Sequence, residues 1–230
     1  MLKESKCKSP IIPKSSTPIT ISHETIRIES NRKIKNAFNK NVVIYEGAFD
    51  PLHNGHKAII AELYNKFDEI FIVPTKCDSN TMFSDSARVS FIASYVSKCF
   101  PNARDKIKIL NDELQDETGT LSETVNLIKH INFKYLRKNE DEKDDLHLNK
   151  DEIDIYLCIG WDQYKNLKNR YHYEELLKSV NLIVINRGDD YFEKLYSDLN
   201  ESTLNIELHG YKDISSTKIR NQIYDYVILN

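Results

Sequence analysis

Short apolar runs alternate with helical patterns along most of this chain, and that alternation limits the folds open to it. The runs lie at residues 42–45, 69–73, 107–110, 153–159 and 182–185, and each has the length of a buried strand. Helical periodicity falls between them, at residues 88–99 and 121–133. Strands that alternate with helices are typical of a parallel sheet covered on both faces. The sequence therefore predicts an α/β fold, a doubly wound parallel sheet with helices on both faces and a C-terminal helical segment.

Three residues follow predicted strands immediately: Gly47, Gly160 and Arg187. In doubly wound sheets, ligands bind at the carboxyl ends of the strands, near the point where the strand order switches. We therefore expect these three residues to converge on one rim of the domain, which is the predicted ligand site.

The segment from Gly47 to His56 carries the strongest sign of chemistry. It connects a buried strand to an amphipathic helix marked by Ile59, and backbone N–H groups at such a helix start attract phosphate. His53 and His56 are three residues apart, so both imidazoles are expected on one side of the first helical turn. Asp-Pro and Asn-Gly within the segment are also ordinary turn chemistry. Two histidines that frame a glycine between a strand and a helix nevertheless favour a site for nucleotide phosphate.

A second segment, from Ile214 to Arg220, opens the last helical pattern of the chain. Ser215 and Ser216 are favoured residues at a helix start. Arg220 lies one turn in, where its guanidinium can form paired hydrogen bonds with phosphate oxygens. Taken alone, the segment is more typical of a serine-capped helix with a solvated arginine. Together with the first segment, it indicates a triphosphate site.

These two segments resemble those of a known group. Gly-x-Phe-Asp-Pro-x-His-x-Gly-His, residues 47–56, resembles the signature of the nucleotidylyltransferase superfamily with the HxGH motif. Ile-Ser-Ser-Thr-Lys-Ile-Arg, residues 214–220, resembles the I-S-S-T-x-I-R segment of nicotinate (nicotinamide) mononucleotide adenylyltransferases. The resemblance implies a Rossmann-like fold and adenylyl transfer from ATP to nicotinate or nicotinamide mononucleotide, which forms the dinucleotide and pyrophosphate in NAD biosynthesis. It also implies Mg²⁺ that enters with ATP, because this ion prefers phosphate oxygens and water, so no protein metal site is expected.

The resemblance assigns roles to individual positions. His53, His56 and Arg220 are expected to be catalytic, because they would stabilise the charge that builds on the triphosphate. The residues expected to bind ATP, besides these three, are Gly47, Ala48, Phe49, Gly160, Asp162, Arg187, Ser215, Ser216 and Thr217. The residues expected to bind the mononucleotide are Lys76, Arg88, Thr120, Thr124, Trp161 and Tyr171.

Two places depart from the family pattern. The Pro-Pro-His-Lys loop that often follows the second strand is replaced by Val-Pro-Thr-Lys-Cys, in which Lys76 can supply the charge. Bacterial members usually carry a tryptophan after the Gly-x-Asp helix, and residues 169–173 contain none. Trp161 or Tyr171 is therefore expected to stack on the acceptor base. Asp162, which ends the Gly-x-Asp element here, is a candidate N-cap.

The composition is typical of a soluble cytoplasmic enzyme. The net charge is −3 and the isoelectric point is about 6.2, which gives no overall attraction to nucleic acid or to anionic membranes. The four cysteines are scattered without a C-x-x-C pair, which argues against zinc or a disulfide framework and favours a reducing compartment. No apolar stretch approaches the roughly 20 residues that span a membrane. The partners that the resemblance implies are ATP and a pyridine mononucleotide, and self-association into a homo-oligomer is left open.

The expected organisation is an N-terminal extension at residues 1–40, partly flexible, and a nucleotidylyltransferase domain at residues 41–230. Within the extension, residues 20–28 alternate enough to form a short accessory edge strand. Within the domain, residues 137–152 form a highly charged run, which is typical of a solvated loop insertion.

Two other functions stay open at this stage. A sister enzyme of the superfamily would act on another phosphorylated acceptor, such as phosphopantetheine, or on a phospho-alcohol with CTP. The pantetheine group generally has threonine in place of the first histidine, and cytidylyltransferases usually end in a different motif. A non-catalytic nucleotide-binding regulator is the alternative from another class, and intact His53, His56 and Arg220 argue against it.

Overall fold

The five apolar runs form strands of one sheet, which has seven strands within the described residues. The computed structural model describes residues 26–29, 39–75, 81–110, 124–133, 153–169, 173–186, 204–208 and 214–229. The strands are Ile26–Glu29 (β1), Lys40–Gly47 (β2), Glu69–Pro74 (β3), Ile107–Ile109 (β4), Ile153–Gly160 (β5), Asn181–Asn186 (β6) and Leu204–Leu208 (β7). They lie in the order β1, β7, β6, β5, β2, β3, β4. Only β1 is antiparallel to its neighbour, so the sheet is parallel from β7 to β4.

Strands β1 and β7, at one edge of the sheet, bear on the sequence predictions. The short edge strand expected within residues 20–28 is confirmed as β1, which pairs with β7. Strand β7 itself was not predicted. Its sequence, Leu-Asn-Ile-Glu-Leu, alternates apolar and polar residues over only five positions, whereas strands β2 to β6 were located by apolar runs.

Six described helices accompany the strands: Asn54–Lys66 (α1), Asp85–Cys99 (α2), residues 124–133 (α3), Trp161–Leu167 (α4), Tyr173–Ser179 (α5) and Ser216–Leu229 (α6). Because side chains alternate across a strand, neighbouring residues of β2 pack in different cores. Val43 lies in a core with buried residues of α1 and α2, and Ile44 lies in a second core with buried residues of α3, α4 and α5. The prediction of a doubly wound sheet with helices on both faces and a C-terminal helix is confirmed.

The strand order switches between β2 and β5. From β2 the chain runs outward through β3 to β4, and it then crosses back to β5 and runs outward through β6 to β7. β2 and β5 are hydrogen-bonded neighbours, and their carboxyl ends are Gly47 and Gly160. A crevice forms where the crossovers leave a parallel sheet in opposite directions. The expected convergence of Gly47 and Gly160 on one rim is therefore confirmed, while Arg187 lies outside the described residues.

A helix that crosses a bilayer has to be both long and apolar. None of the described helices combines the length and the apolar composition that crossing a membrane requires.

Candidate active site

A cavity of about 350 Å³ opens at the carboxyl ends of β2 and β5. Its walls come from five places along the chain: the end of β2 with the start of α1, the end of β3, the end of β5 with the start of α4, the end of β6, and the start of α6. The lining residues are Tyr45, Glu46, Gly47, Ala48, His56, Ile59, Thr75, Gly160, Trp161, Asp162, Gln163, Ile185, Ser215, Ser216, Thr217 and Arg220. The cavity therefore brings together both segments that the sequence singled out.

His53 and His56 begin helix α1 and hold each other in place. His53 is the N-cap, and its Nδ1 accepts hydrogen bonds from the backbone N–H groups of Gly55 at 3.1 Å and of His56 at 3.4 Å. The Nδ1 of His56 in turn accepts from the backbone N–H of His53 at 3.4 Å. The expectation that both imidazoles lie on one side of the first turn is confirmed.

These bonds determine where the ring protons are. A backbone N–H only donates, so an Nδ1 that accepts from it carries no hydrogen. The Nδ1 atoms of His53 and His56 are both acceptors, and each ring therefore carries its N–H at Nε2. His56 lines the cavity, so its Nε2–H is a hydrogen-bond donor at the cavity wall.

Gly55 makes room for this arrangement. A Cβ atom at Gly55 would lie 3.0 Å from the nearest ring atom of His53, which is closer than ordinary van der Waals contact. The glycine between the two histidines thus lets the cap side chain fold back against the helix start.

Phe49 lies beneath the cavity and not in its wall. The ring is fully buried and packs edge-on against Tyr45 and His56, with centroids 5.2 Å and 4.9 Å away. Its φ of 49° is in the left-handed region, which is uncommon for a residue with a bulky side chain. A Cβ at Gly47 would lie 3.1 Å from this ring, so Gly47 permits the close approach. The Phe49 side chain thus packs against His56, and its predicted contact with ATP stays a prediction.

The start of α6 is docked onto the turn between β2 and α1. Ser215 caps the helix, since its Oγ accepts from the backbone N–H of Lys218 at 3.1 Å, as the sequence predicts. Ser216 Oγ donates to the carbonyl of Pro51 at 3.3 Å. Arg220 Nη1 donates to the carbonyl of Asp50 at 2.6 Å. These contacts bring Arg220 to the turn between β2 and α1, residues 48–53, which we call the histidine turn.

At the end of β5 the helix begins two residues earlier than a cap at Asp162 requires. Gly160 occupies the N-cap position of α4, and Gln163 Oε1 accepts from its backbone N–H at 3.3 Å. The predicted N-cap at Asp162 is therefore wrong. Asp162 lines the cavity from within the first turn, and its carboxylate forms an ion pair with Lys165 at 2.8 Å. Trp161 also lines the cavity, and its ring stacks on Tyr164 with centroids 5.5 Å apart.

Two residues predicted to bind the mononucleotide support the walls instead. Arg88 is fully buried, pairs with Asp85, and donates through Nη1 to the carbonyls of Ala48 and Thr75. It thus joins the loops that follow β2 and β3. Thr124 is buried and donates its hydroxyl to the carboxylate of Glu46. Neither side chain lines the cavity, so direct contacts of Arg88 and Thr124 with the mononucleotide stay predictions.

The other predicted site residues fall into three groups: those that line the cavity, one that is buried beside it, and those outside the described residues. His53 is buried and does not line the cavity, while Gly47, Ala48, Gly160, Asp162, Ser215, Ser216 and Thr217 all do. Lys76, Thr120, Tyr171 and Arg187 lie outside the described residues.

Several lining residues were not predicted. Tyr45, Glu46 and Ile185 belong to strand ends, and Ile59, Thr75 and Gln163 to the elements beside them. Glu46 had a usable signal, since it is a charged residue that directly follows four apolar residues of a buried strand. A buried carboxylate needs a partner, and here Thr124 supplies one.

The arrangement suits a polyanion. The first turns of α1 and α6 both adjoin the cavity, where the positive ends of the two helix dipoles attract phosphate. Arg220 adds a guanidinium with donors for phosphate oxygens. A cavity of this kind, at the switch point of a parallel sheet, defines the class: an α/β nucleotide-binding protein.

Comparison with known proteins names the family. The model of the family described as cytidylyltransferase-like matches residues 44–222. A protein of Campylobacter fetus named probable nicotinate-nucleotide adenylyltransferase is 31% identical over 186 residues, 80% of this chain and 87% of its own. One of the same name from Aliarcobacter butzleri is 31% identical over 185 residues, 79% and 87% of the two chains. The chain belongs to the cytidylyltransferase-like family and, within it, to the nicotinate-nucleotide adenylyltransferases.

Solved structures agree on the fold. Plasmodium falciparum nicotinic acid mononucleotide adenylyltransferase complexed with NaAD superposes with a TM-score of 0.57 at 20% identity, over 80% of this chain and 83% of that one. The same enzyme complexed with APC gives a TM-score of 0.53 at 19% identity, over the same shares of the two chains. At this identity the likeness concerns the fold alone.

Proposed function

We propose that this protein transfers the adenylyl group of ATP to nicotinate or nicotinamide mononucleotide, forming the dinucleotide and pyrophosphate. The observation that carries the proposal is that His56, in the first turn of α1, and Arg220, one turn into α6, line the same cavity at the switch point. The names of the relatives support the pyridine mononucleotide as acceptor. The complexes named for the Plasmodium enzyme are consistent with nucleotide ligands in this fold.

The reaction is an in-line displacement at phosphorus. A phosphate oxygen of the mononucleotide attacks the α-phosphorus of ATP, the bond from that phosphorus to the bridging oxygen breaks, and pyrophosphate leaves with the electron pair. The attacking phosphate is already anionic, so no side chain has to remove a proton. Positioning and charge stabilisation therefore carry the rate.

The residues at the two helix starts suit this task. The Nε2–H of His56 is a donor for an α-phosphate oxygen, where negative charge increases in the transition state. Arg220, with Ser216 and Thr217 beside it, would bind the β- and γ-phosphates, whose charge increases as pyrophosphate leaves. A direct contact of His53 with the triphosphate stays a prediction, and its capping bonds give it a second role, the orientation of His56.

The acceptor is proposed to bind on the side of α4. Trp161 lines the cavity with an aromatic ring, which suits stacking on a pyridine ring. Lys76, Thr120 and Tyr171 stay predicted contacts of the mononucleotide.

Magnesium is proposed to arrive with ATP. Of the two carboxylates that line the cavity, that of Glu46 accepts from Thr124 and that of Asp162 is paired with Lys165. This donor set fits an ion held mainly by phosphate oxygens and water, as Mg²⁺ prefers. When bound, the ion would neutralise charge on the departing pyrophosphate.

A pyrophosphate-release assay tests the proposal. The purified protein is given ATP or CTP with one of four acceptors: nicotinate mononucleotide, nicotinamide mononucleotide, phosphopantetheine or glycerol phosphate. We expect release only with ATP and a pyridine mononucleotide, together with the dinucleotide in a chromatogram of the products. Release with CTP or with another acceptor would assign the protein to a sister activity. Binding of ATP without release in any mixture would make it a regulator. Either result would overturn the proposal.

A further inference from the structure

A buried aspartate joins separate segments of the chain beside the cavity. Asp50, in the turn between β2 and α1, is only 1% exposed. Its Oδ2 accepts from the backbone N–H of Met82 at 2.8 Å, and its Oδ1 accepts from that of Phe83 at 2.9 Å. These bonds connect the histidine turn to the segment that precedes α2.

The same aspartate holds the arginine of the last helix. Arg220 Nη1 donates to the Asp50 carbonyl at 2.6 Å and lies 3.5 Å from its Oδ2. Arg220 Nη2 donates to Thr217 Oγ1 at 3.2 Å. A guanidinium has five N–H donors in a rigid plane, so these contacts set the orientation of the plane and leave further donors for an anion.

Charge strengthens this arrangement. A buried carboxylate needs both hydrogen bonds and a cation nearby, and Asp50 has two backbone donors and Arg220. The Arg220 side chain is 20% exposed, so the attraction acts in a partly desolvated place, where it is stronger than at the surface. Asp50 does not line the cavity, whereas Arg220 does. Any influence of Asp50 on a ligand therefore passes through a neighbour.

We propose that Asp50 is a positioning residue, which holds the guanidinium of Arg220 in the orientation that binds the triphosphate. The proposal rests on the proposed function, since it assumes that Arg220 binds the β- and γ-phosphates. Binding of ATP by Arg220 would then depend on the histidine turn, because this turn carries Asp50 and leads directly into the two histidines.

The first test replaces Asp50 by asparagine, which keeps the size and loses the charge and one acceptor. A displacement of a binding group by about 1 Å can cost about 100-fold in rate, so we expect Asp50→Asn to lower kcat/KM for ATP about 10- to 100-fold. KM for the acceptor should change less than twofold. The matched control is Asp68→Asn. Asp68 also accepts from a backbone N–H, that of Asn41 at 2.8 Å, but at the opposite end of β2. This control should keep wild-type kinetics.

The second test asks whether the effect passes through Arg220. In the Arg220→Ala background, Asp50→Asn should lower kcat/KM no further, because the group that it positions is already gone. If the two losses multiply, Asp50 acts independently of Arg220 and the proposal is wrong. An equal rise of KM for ATP and of KM for the acceptor in the single variant would also contradict the proposal, since it would indicate a general structural defect.

Two measurements keep the test independent of turnover and of the variant's folding. Calorimetric titration with the α,β-methylene analogue of ATP should show weaker binding by Asp50→Asn than by Asp68→Asn, whatever the acceptor is. In the wild-type protein, the Nη protons of Arg220, assigned by their loss in Arg220→Lys, should give separate NMR signals because both terminal nitrogens are held. A single averaged signal, or equal analogue binding by the two variants, would refute the positioning role. Absence of pyrophosphate release by the wild type would refute the proposed function alone.

Discussion

The imidazole rings of His53 and His56 are stacked, with their centroids 3.7 Å apart and their planes 19° from parallel. Each ring also accepts a backbone hydrogen bond from the residue that bears the other. The pair therefore behaves as one rigid unit at the start of α1. A rigid donor at a cavity wall needs no reorganisation when charge develops on a substrate, which is the condition for strong electrostatic catalysis.

Replacing His56 by alanine should remove that donor. Loss of one preorganised donor typically costs about 100- to 1000-fold in kcat, and we expect a loss in this range for His56→Ala. Stability should fall by only about 1 kcal/mol, because one capping hydrogen bond is lost. Steady-state kinetics and urea unfolding measure the two effects. His130→Ala, at an exposed position of α3, is the control. A His56→Ala enzyme with wild-type rates would rule out the role given to this residue.

Replacing Gly55 by alanine should separate activity from stability. The new Cβ would lie 3.0 Å from the His53 ring, so the ring has to shift, and its stack with His56 is disturbed. We expect a loss of kcat of at least about 10-fold from misplacement of the donor. Alanine is a better helix former than glycine by up to about 1 kcal/mol, and disturbance of the His53 cap costs a similar amount, so the unfolding temperature should change little. Full activity in this variant would mean that the stacked geometry is not required.

Arg88 should matter for stability more than for ligand binding. Arg88→Met removes the donors for the carbonyls of Ala48 and Thr75 and leaves both without that partner inside the protein. We expect unfolding to become easier by about 3 kcal/mol, as for other disrupted buried polar networks. Arg104→Met, at an exposed position, should cost almost nothing and is the matched control. Equal unfolding midpoints for the two variants in urea would contradict the supporting role.

The two described cysteines should differ in reactivity. Burial raises the pKa of the Cys158 thiol, so it stays protonated in the folded protein, whereas Cys99 is exposed. Iodoacetamide at pH 8 should therefore modify Cys99 in minutes and leave Cys158 intact until urea unfolds the chain. The raised pKa also makes the stability depend on pH. When the pH rises above about 8.5, the usual pKa of a cysteine, the Cys158 thiol ionises in the unfolded chain only, so this group lowers the free energy of unfolding at alkaline pH. Rapid labelling of native Cys158, followed by peptide mass spectrometry, would disprove the burial.

The sequence predicted the order of elements and the position of the site because both depend on local patterns. An apolar run identifies a strand, and the residue that follows it, such as Gly47 or Gly160, must stand at the edge of a parallel sheet. The cap at Ser215 and the pairing of His53 with His56 are equally local, since each involves residues within one helical turn.

The orientation of other predicted site residues depends on contacts that no local pattern contains. Arg88 was expected to bind a ligand, but its guanidinium turns inward to carbonyls of two loops that are distant in sequence. Thr124 likewise faces Glu46 from another element. The contact between Arg220 and Asp50 spans 170 positions, so only the folded topology reveals it. Spacing tells which residues stand near the site, and packing across loops decides which of them face it.

The placement of Arg220 in the last helix has a consequence for synthesis of the protein. The cavity wall is assembled from the beginning, the middle and the far end of the described chain, and Arg220 is the most distal part of it. A nascent chain can pair β2 with β3 early, yet the cavity wall stays incomplete until Arg220 has been synthesised and has left the ribosome. Any activity of this cavity therefore has to wait for the helix that carries Arg220.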